Sequence, residues 1–252
     1  MKRSAKASRK RGIVLADLNW TEAEKLFGAD RVVLIPLGAA AKEHGPHLPL
    51  GNDLLLAQYL AAAVAARADV LIAPTLNYGY YPAFVEYPGS VSLRLETARD
   101  LTVDICRSYA RFGARKFYVL NTGISTLTAL RPAARILAAE RLLLRYTDLD
   151  AILAPAAAGI SEQAGGSHAD EIETSIMLFI APRAVRMRAA VRDCRPGKGP
   201  LTRDPHNKAG VYSPSGVWGD PTLATRRKGK LLVEALVRGI VRELRDLGAA
   251  RS

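Results

Sequence analysis

Short apolar runs punctuate the chain, and amphipathic stretches fill the intervals between them. Residues 32–37, 70–74, 116–120 and 152–155 are brief and apolar, the pattern of buried strands. A further short extended piece is expected at 91–93. Residues 53–66 put Leu54, Leu55, Ala57, Leu60, Ala61 and Val64 on a broad helical face. Helical periodicity also covers 96–112, 127–145 and a stretch from His168 to about Ile180, and a closing helix over 222–247 has Leu231, Leu232, Ala235, Leu236 and Ile240 to bury. A helix near the start carries Thr21 as its expected N-cap, with Glu22 and Glu24 in its first turn, and ends near Gly28. Residues 183–193 are expected to be a strand or extended edge, and the Pro- and Gly-rich stretch 195–219 to be irregular. Strand alternating with helix predicts an α/β domain with a mainly parallel sheet covered on both faces.

The junction after the first long run holds the densest chemistry. Gly38 closes the run, and Lys42, Glu43, His44, His47 and Asp53 follow, punctuated by Gly45, Pro46, Pro49 and Gly51. Two of the chain's 4 histidines lie here. Open α/β sheets place ligand sites at the carboxyl ends of strands. Asn121 stands at the end of a later run, and His168, Asp170, Glu171 and Glu173 open a helix further on. Glu173 heads into an apolar segment and needs a cation or hydrogen-bond donors there, although acidic residues also gather at helix N-termini for the dipole alone. Asp53, at the start of its helix, also reads as an N-cap. Histidines with carboxylates suit a divalent ion such as zinc or manganese, which can activate water for hydrolysis. Residues 77–90 concentrate tyrosines, Tyr81 among them, in a chain with only 6% aromatic residues; they read equally as a pocket wall around Glu86 and as a loop packed on the core.

Charge and cysteine content narrow the classes. The net charge is +12, but the basic residues are dispersed and no nucleic-acid motif accompanies them, so a solvated basic surface is the reading and no specific nucleic-acid partner is expected. No apolar run approaches the ~20 residues of a membrane span. Residues 1–12 read as a disordered basic arm without the apolar core of a secretory signal, and 13–252 as one domain. Cys106 and Cys194 have no metal-like spacing, which fits a reducing cytoplasm. No phosphate loop, dinucleotide fingerprint or nucleophile elbow occurs.

These motifs together resemble the creatininase (creatinine amidohydrolase) family. The matching segments are Pro36-Leu-Gly38, His44-Gly-Pro-His-Leu-Pro-Leu50 with Asp53, Pro88-Gly-Ser-Val-Ser-Leu93, His168-Ala-Asp-Glu-Ile-Glu-Thr-Ser175 and Gly216-Val-Trp-Gly-Asp-Pro221 with Ala224-Thr225. The resemblance runs from about Leu15 to Leu247 and implies a three-layer α/β/α sandwich with a parallel sheet. It also implies a homo-oligomer, often a hexamer, and metal-dependent hydrolysis of a C–N bond in a small amide or cyclic amide. Carried over residue by residue, it makes His44, Asp53 and Glu173 metal ligands and His168 the active-site histidine, with Glu43 a second catalytic candidate. His47, Tyr81, Glu86, Asn121 and Glu171 are candidate substrate contacts.

Two departures alter the expected site. Lys42-Glu43-His44 stands where the family writes Glu-Gln-His, and Asn121-Thr-Gly-Ile-Ser-Thr126 stands where it writes Asn-Gly-His-Gly-Gly-Asn. A ligand histidine is therefore lost, and a ligand glutamate has become Lys42 or slid to Glu43. Three readings stay open: one zinc or manganese ion rather than two, a site in which the Lys42 ammonium stands in for the lost ion, and a non-hydrolytic relative that binds a small ligand or serves in an assembly.

Overall fold

The computed structural model describes residues 12–250, so the expected arm, apart from Gly12, lies outside the described residues. Five parallel strands form the central sheet: β1 (Ile13–Val14), β2 (Val32–Leu37), β3 (Val70–Ile72), β4 (Lys116–Asn121) and β5 (Leu143–Tyr146), in the order β1-β3-β2-β4-β5. Every residue of β2 and β4 is buried. Their side chains alternate between two cores. Val32 and Leu34 of β2, with Tyr118 and Leu120 of β4, face α2 (Asn52–Ala65), α6 (Glu171–Ile180) and α7 (Arg226–Ala249). Val33, Ile35, Phe117 and Val119 face α3 (Leu95–Ala110) and α4 (Leu127–Ala139). A strand apolar on both faces must be covered on both, and three layers result. After β2 the chain builds β3 on one side, then crosses to build β4 on the other. The carboxyl ends of β2 and β4 thus flank a topological switch point.

Several local expectations give way. The expected strand at 152–155 is the middle of α5 (Leu149–Ala157), capped by the Asp148 side chain accepting from the Ala151 amide; Ile152, Leu153 and Ala156 pack on the core below α7. A four-residue apolar run does not distinguish strand from helix, and the cap decides. Two strands of the sheet were not expected, β1 and β5, and β5 overlaps the end of the expected helix 127–145. That helix stops at Ala139, and Arg141 takes φ +58°, which turns the chain back into the sheet. Residues 91–93 form no strand. Residues 183–193 form 3₁₀ turns and one isolated bridge, Asp193 with Gly219. The first helix, α1 (Trp20–Glu24), is capped by Asn19 rather than Thr21, in a reciprocal capping box with Glu22. Gly51, not Asp53, is the N-cap residue of α2. Cys106 is fully buried. No helix among the described residues is long and apolar enough to cross a membrane.

Candidate active site

The loop leaving β2 is folded back over the sheet end. The Lys42 amide donates to the Leu50 carbonyl at 3.1 Å and the Leu54 amide to the Ala39 carbonyl at 3.1 Å. Lys42, Glu43, His44, His47 and Asp53 are all buried. Opposite them stands the segment before α6. His168 exchanges main-chain hydrogen bonds with Trp218, and Asp170 caps α6 by accepting from the amides of Ile172 and Glu173. Ala169, between the two, holds φ +49° with its amide on Glu173 Oε2 at 2.6 Å. Gly216 is required beside this segment: φ is +75°, and a Cβ there would strike the Glu43 carboxylate.

The two segments meet. The rings of His44 and His168 lie 5.0 Å apart, centroid to centroid. Donor atoms of His44, His168 and Glu173 all fall within 4.8 Å of one another. The main chain fixes both imidazole tautomers. His44 Nδ1 faces the Lys42 carbonyl at 2.9 Å, and His168 Nε2 faces the Glu43 carbonyl at 3.0 Å. A carbonyl only accepts, so each of those nitrogens carries a proton. The other nitrogens then turn lone pairs toward carboxylates: His44 Nε2 lies 2.8 Å from Asp53 Oδ1, and His168 Nδ1 lies 3.7 Å from Glu173 Oε2. Lone pair against carboxylate is repulsive unless each ring takes a second proton or a cation sits between them. Two imidazoles and a carboxylate suit a divalent ion with an open position, so the residues present fit one.

Charges around this core are strongly coupled. Asp53 is buried, and burial alone would raise its pKa; the ammonium of Lys42, with Nζ 2.7 Å from Oδ2, and His44 outweigh that and hold it well below the usual carboxylate range. Burial would lower the pKa of Lys42, but Asp53, Glu173 and Glu43 hold it above its ordinary value. Burial pushes Glu173 up to about 7, against the pull of His168 and Lys42. The Glu43 carboxylate accepts from the Gly45 amide and lies 3.1 Å from His168 Nε2.

A cavity of about 860 Å³ opens over the cluster. Lys42, Asn52, Phe84, His168, Glu173 and Trp218 are among its lining residues. Tyr80, Pro82 and Phe84 supply the wall expected of the aromatic loop. The five candidate substrate contacts stand outside this lining. Glu86 accepts from Thr202 Oγ1 at 2.9 Å and the Arg203 amide at 2.6 Å, pinning the aromatic loop. Asn121 ties its own loop through Gly123, Thr126 and the Thr147 carbonyl. Glu171 is fully buried and accepts from Ser161 Oγ, the amides of Glu162 and Gln163, and Lys228 Nζ at 2.5 Å. Burial opposes its ionisation, and Lys228 with those amides keeps its pKa below the ordinary value. Tyr81 is buried beneath Lys42 with its hydroxyl unpartnered. His47 Nε2 pairs with Thr174 Oγ1 at 2.8 Å. Phe84, whose ring centre lies 4.5 Å from that of His168 at a tilt of 43°, belongs to the expected wall, and the group sequence reasoning missed is Asn52, whose buried Oδ1 has no partner. Asn52 directly precedes Asp53, and that adjacency was the available signal.

Burial and the nearby His44 hold the pKa of His47 down at about 4. A folded pKa below the unfolded 6.5 contributes stability that is complete above pH 6.5 and lost as pH falls toward 4. At pH 5 the loss is on the order of 2 kcal/mol. In urea unfolding at pH 7 and pH 5, wild type should lose on the order of 2 kcal/mol relative to His47→Gln, whatever the other titrating groups contribute to both proteins; parallel curves for the two proteins contradict this.

A profile of the creatininase family, described as creatinine amidohydrolase, matches residues 16–244. The chain is 32% identical over 234 residues to a mycofactocin precursor peptide peptidase of Mycobacterium ulcerans (strain Agy99), covering 89% of this chain and 88% of that one. It is 28% identical over 257 residues to the creatinine amidohydrolase of Pseudomonas putida, covering 94% and 97%. Among solved structures, a manganese creatininase superposes with TM-score 0.79 at 25% identity, covering 95% of this chain and 100% of that one. A mutant creatininase of Zn-Zn type gives the same TM-score and identity, covering 95% and 99%.

Proposed function

The chain belongs to the creatininase family, hydrolases acting on amide bonds, and from that membership we propose that it hydrolyses a C–N bond of a small amide, cyclic amide or peptide with the help of one divalent ion, zinc or manganese. The observation that carries this reading is the convergence of His44, His168 and Glu173 donors within 4.8 Å beside a cavity. When bound, the ion would polarise the substrate carbonyl and bring the pKa of water toward neutrality.

His44 would offer Nε2 and His168 would offer Nδ1, because main-chain carbonyls already hold their other nitrogens. His168 and Glu43 act as one unit: the Glu43 carbonyl and carboxylate take the Nε2 hydrogen bond and aim Nδ1 at Glu173. Asp53 Oδ1 faces His44 Nε2 at 2.8 Å, so an ion held there would also meet the Asp53 carboxylate, while the Lys42 carbonyl on Nδ1 orients the ring. Phe84 packs on the His168 ring and keeps water from that face. Asn52 presents an unpartnered carboxamide oxygen that can accept from a substrate N–H.

Chelator-treated protein should hydrolyse neither creatinine nor short peptide amides, and zinc or manganese should restore cleavage of at least one such amide. Less than about a tenth of an equivalent of bound metal after refolding with excess zinc or manganese overturns the proposal.

A further inference from the structure

We propose that the Lys42 ammonium occupies the place of a divalent ion on Asp53, so that the centre holds one ion fewer than its carboxylates and imidazoles could otherwise carry. The claim builds on the proposed ion at His44, His168 and Glu173.

Asp53 is 1% exposed and has no solvent to share its charge with. Its Oδ1 faces His44 Nε2 at 2.8 Å, and its Oδ2 faces Lys42 Nζ at 2.7 Å. A zinc ion on a carboxylate oxygen sits at about 2.0–2.2 Å. An ion on Oδ2 would have to share that space with the ammonium, and in a buried site the repulsion between them is little screened.

The remaining surroundings of Nζ suit an ammonium. It lies 4.9 Å from the centre of the Phe84 ring and 5.8 Å from that of Tyr81. Ring faces attract a desolvated ammonium but offer no lone pair to complete a metal's shell. One carboxylate oxygen and two aromatic faces therefore form a cage for an ammonium. The Lys42 main chain belongs to the same construction, since its carbonyl fixes the His44 tautomer. Lys42 thus places one cation itself and aims the imidazole that would bind the other.

The test counts ions. Wild type, Lys42→Glu and Lys42→Ser are equilibrated with excess zinc, and bound metal is measured by mass spectrometry. Both variants are expected to bind one equivalent more than wild type, Lys42→Ser more weakly. Lys42→Ser opens the same space without adding a charge and serves if the glutamate variant does not fold. Loaded with manganese, the variants should give the paramagnetic resonance spectrum of a spin-coupled pair, and wild type that of an isolated ion. Equal stoichiometry in a folded variant and wild type, or two equivalents in wild type, overturns the proposal. No metal in wild type but one equivalent in the variants upholds the Lys42 assignment and rejects instead the ion at His44, His168 and Glu173.

Discussion

Glu173→Gln is expected to cut metal-dependent amide hydrolysis by at least about 10³-fold, the several kcal/mol that a properly held ion supplies, and to lower bound metal in parallel. The amide keeps the size of the carboxylate, and its oxygen can still accept from the Ala169 amide, so the φ +49° turn at Ala169 is retained. The fold should survive while the chemistry fails. Stability separates the two effects. Glu173 has its folded pKa raised to about 7, so the charged form is disfavoured in the fold. For a raised acid the contribution to stability is greatest below the unfolded value and declines as pH climbs through 7. Metal-free Glu173→Gln should therefore be more stable than metal-free wild type at pH 8, on the order of 1–2 kcal/mol after solvent screening, and equal to it near pH 4.5. Undiminished metal content in the variant would remove Glu173 from the ligand set.

Gly229→Ala is expected to cost roughly 3 kcal/mol of stability, the upper range for overpacking a close contact, and to weaken metal binding as well. Gly229 lies in the first turn of α7, directly against the Ser175 carbonyl of α6, and a Cβ there would also come 3.0 Å from Phe179 Cβ. Neither neighbour can swing aside: one is backbone and the other is a helix-bound Cβ. The helices must separate, and α6 carries Glu173. A urea midpoint within experimental error of wild type would show that α6 and α7 have slack at this crossing. Gly248→Ala, where a Cβ meets nothing within 4 Å, is the matched control.

The sheet and the meeting of its two polar segments were legible because they depend on strongly patterned residues. Runs such as 32–37 and 116–120 are short and mostly apolar on both strand faces, the pattern of central strands. The acidic stretch 168–175 and the loop 42–53 were visible as the places where charge interrupts apolar periodicity. Illegible were the short elements whose type depends on a single cap or backbone turn: the strand Leu143–Tyr146 hangs on Arg141, and the helix Leu149–Ala157 on Asp148. The partners of long polar side chains were also hidden. Nothing in the spacing told that Glu171 would turn back to Ser161 and Lys228, whereas Lys42 against Asp53 was one of the arrangements the sequence left open. Those contacts depend on how loops close, and sequence periodicity carries no record of that.

The imidazoles of His44 and His168 hang from two consecutive peptide carbonyls, those of Lys42 and Glu43. Their aim is thus written into the polypeptide backbone, and at position 42 the side chain can change while the carbonyl stays. A lineage could exchange glutamate for lysine at position 42 without disturbing the direction of either ring, and so retune the number of ions while inheriting the same scaffold for gripping them.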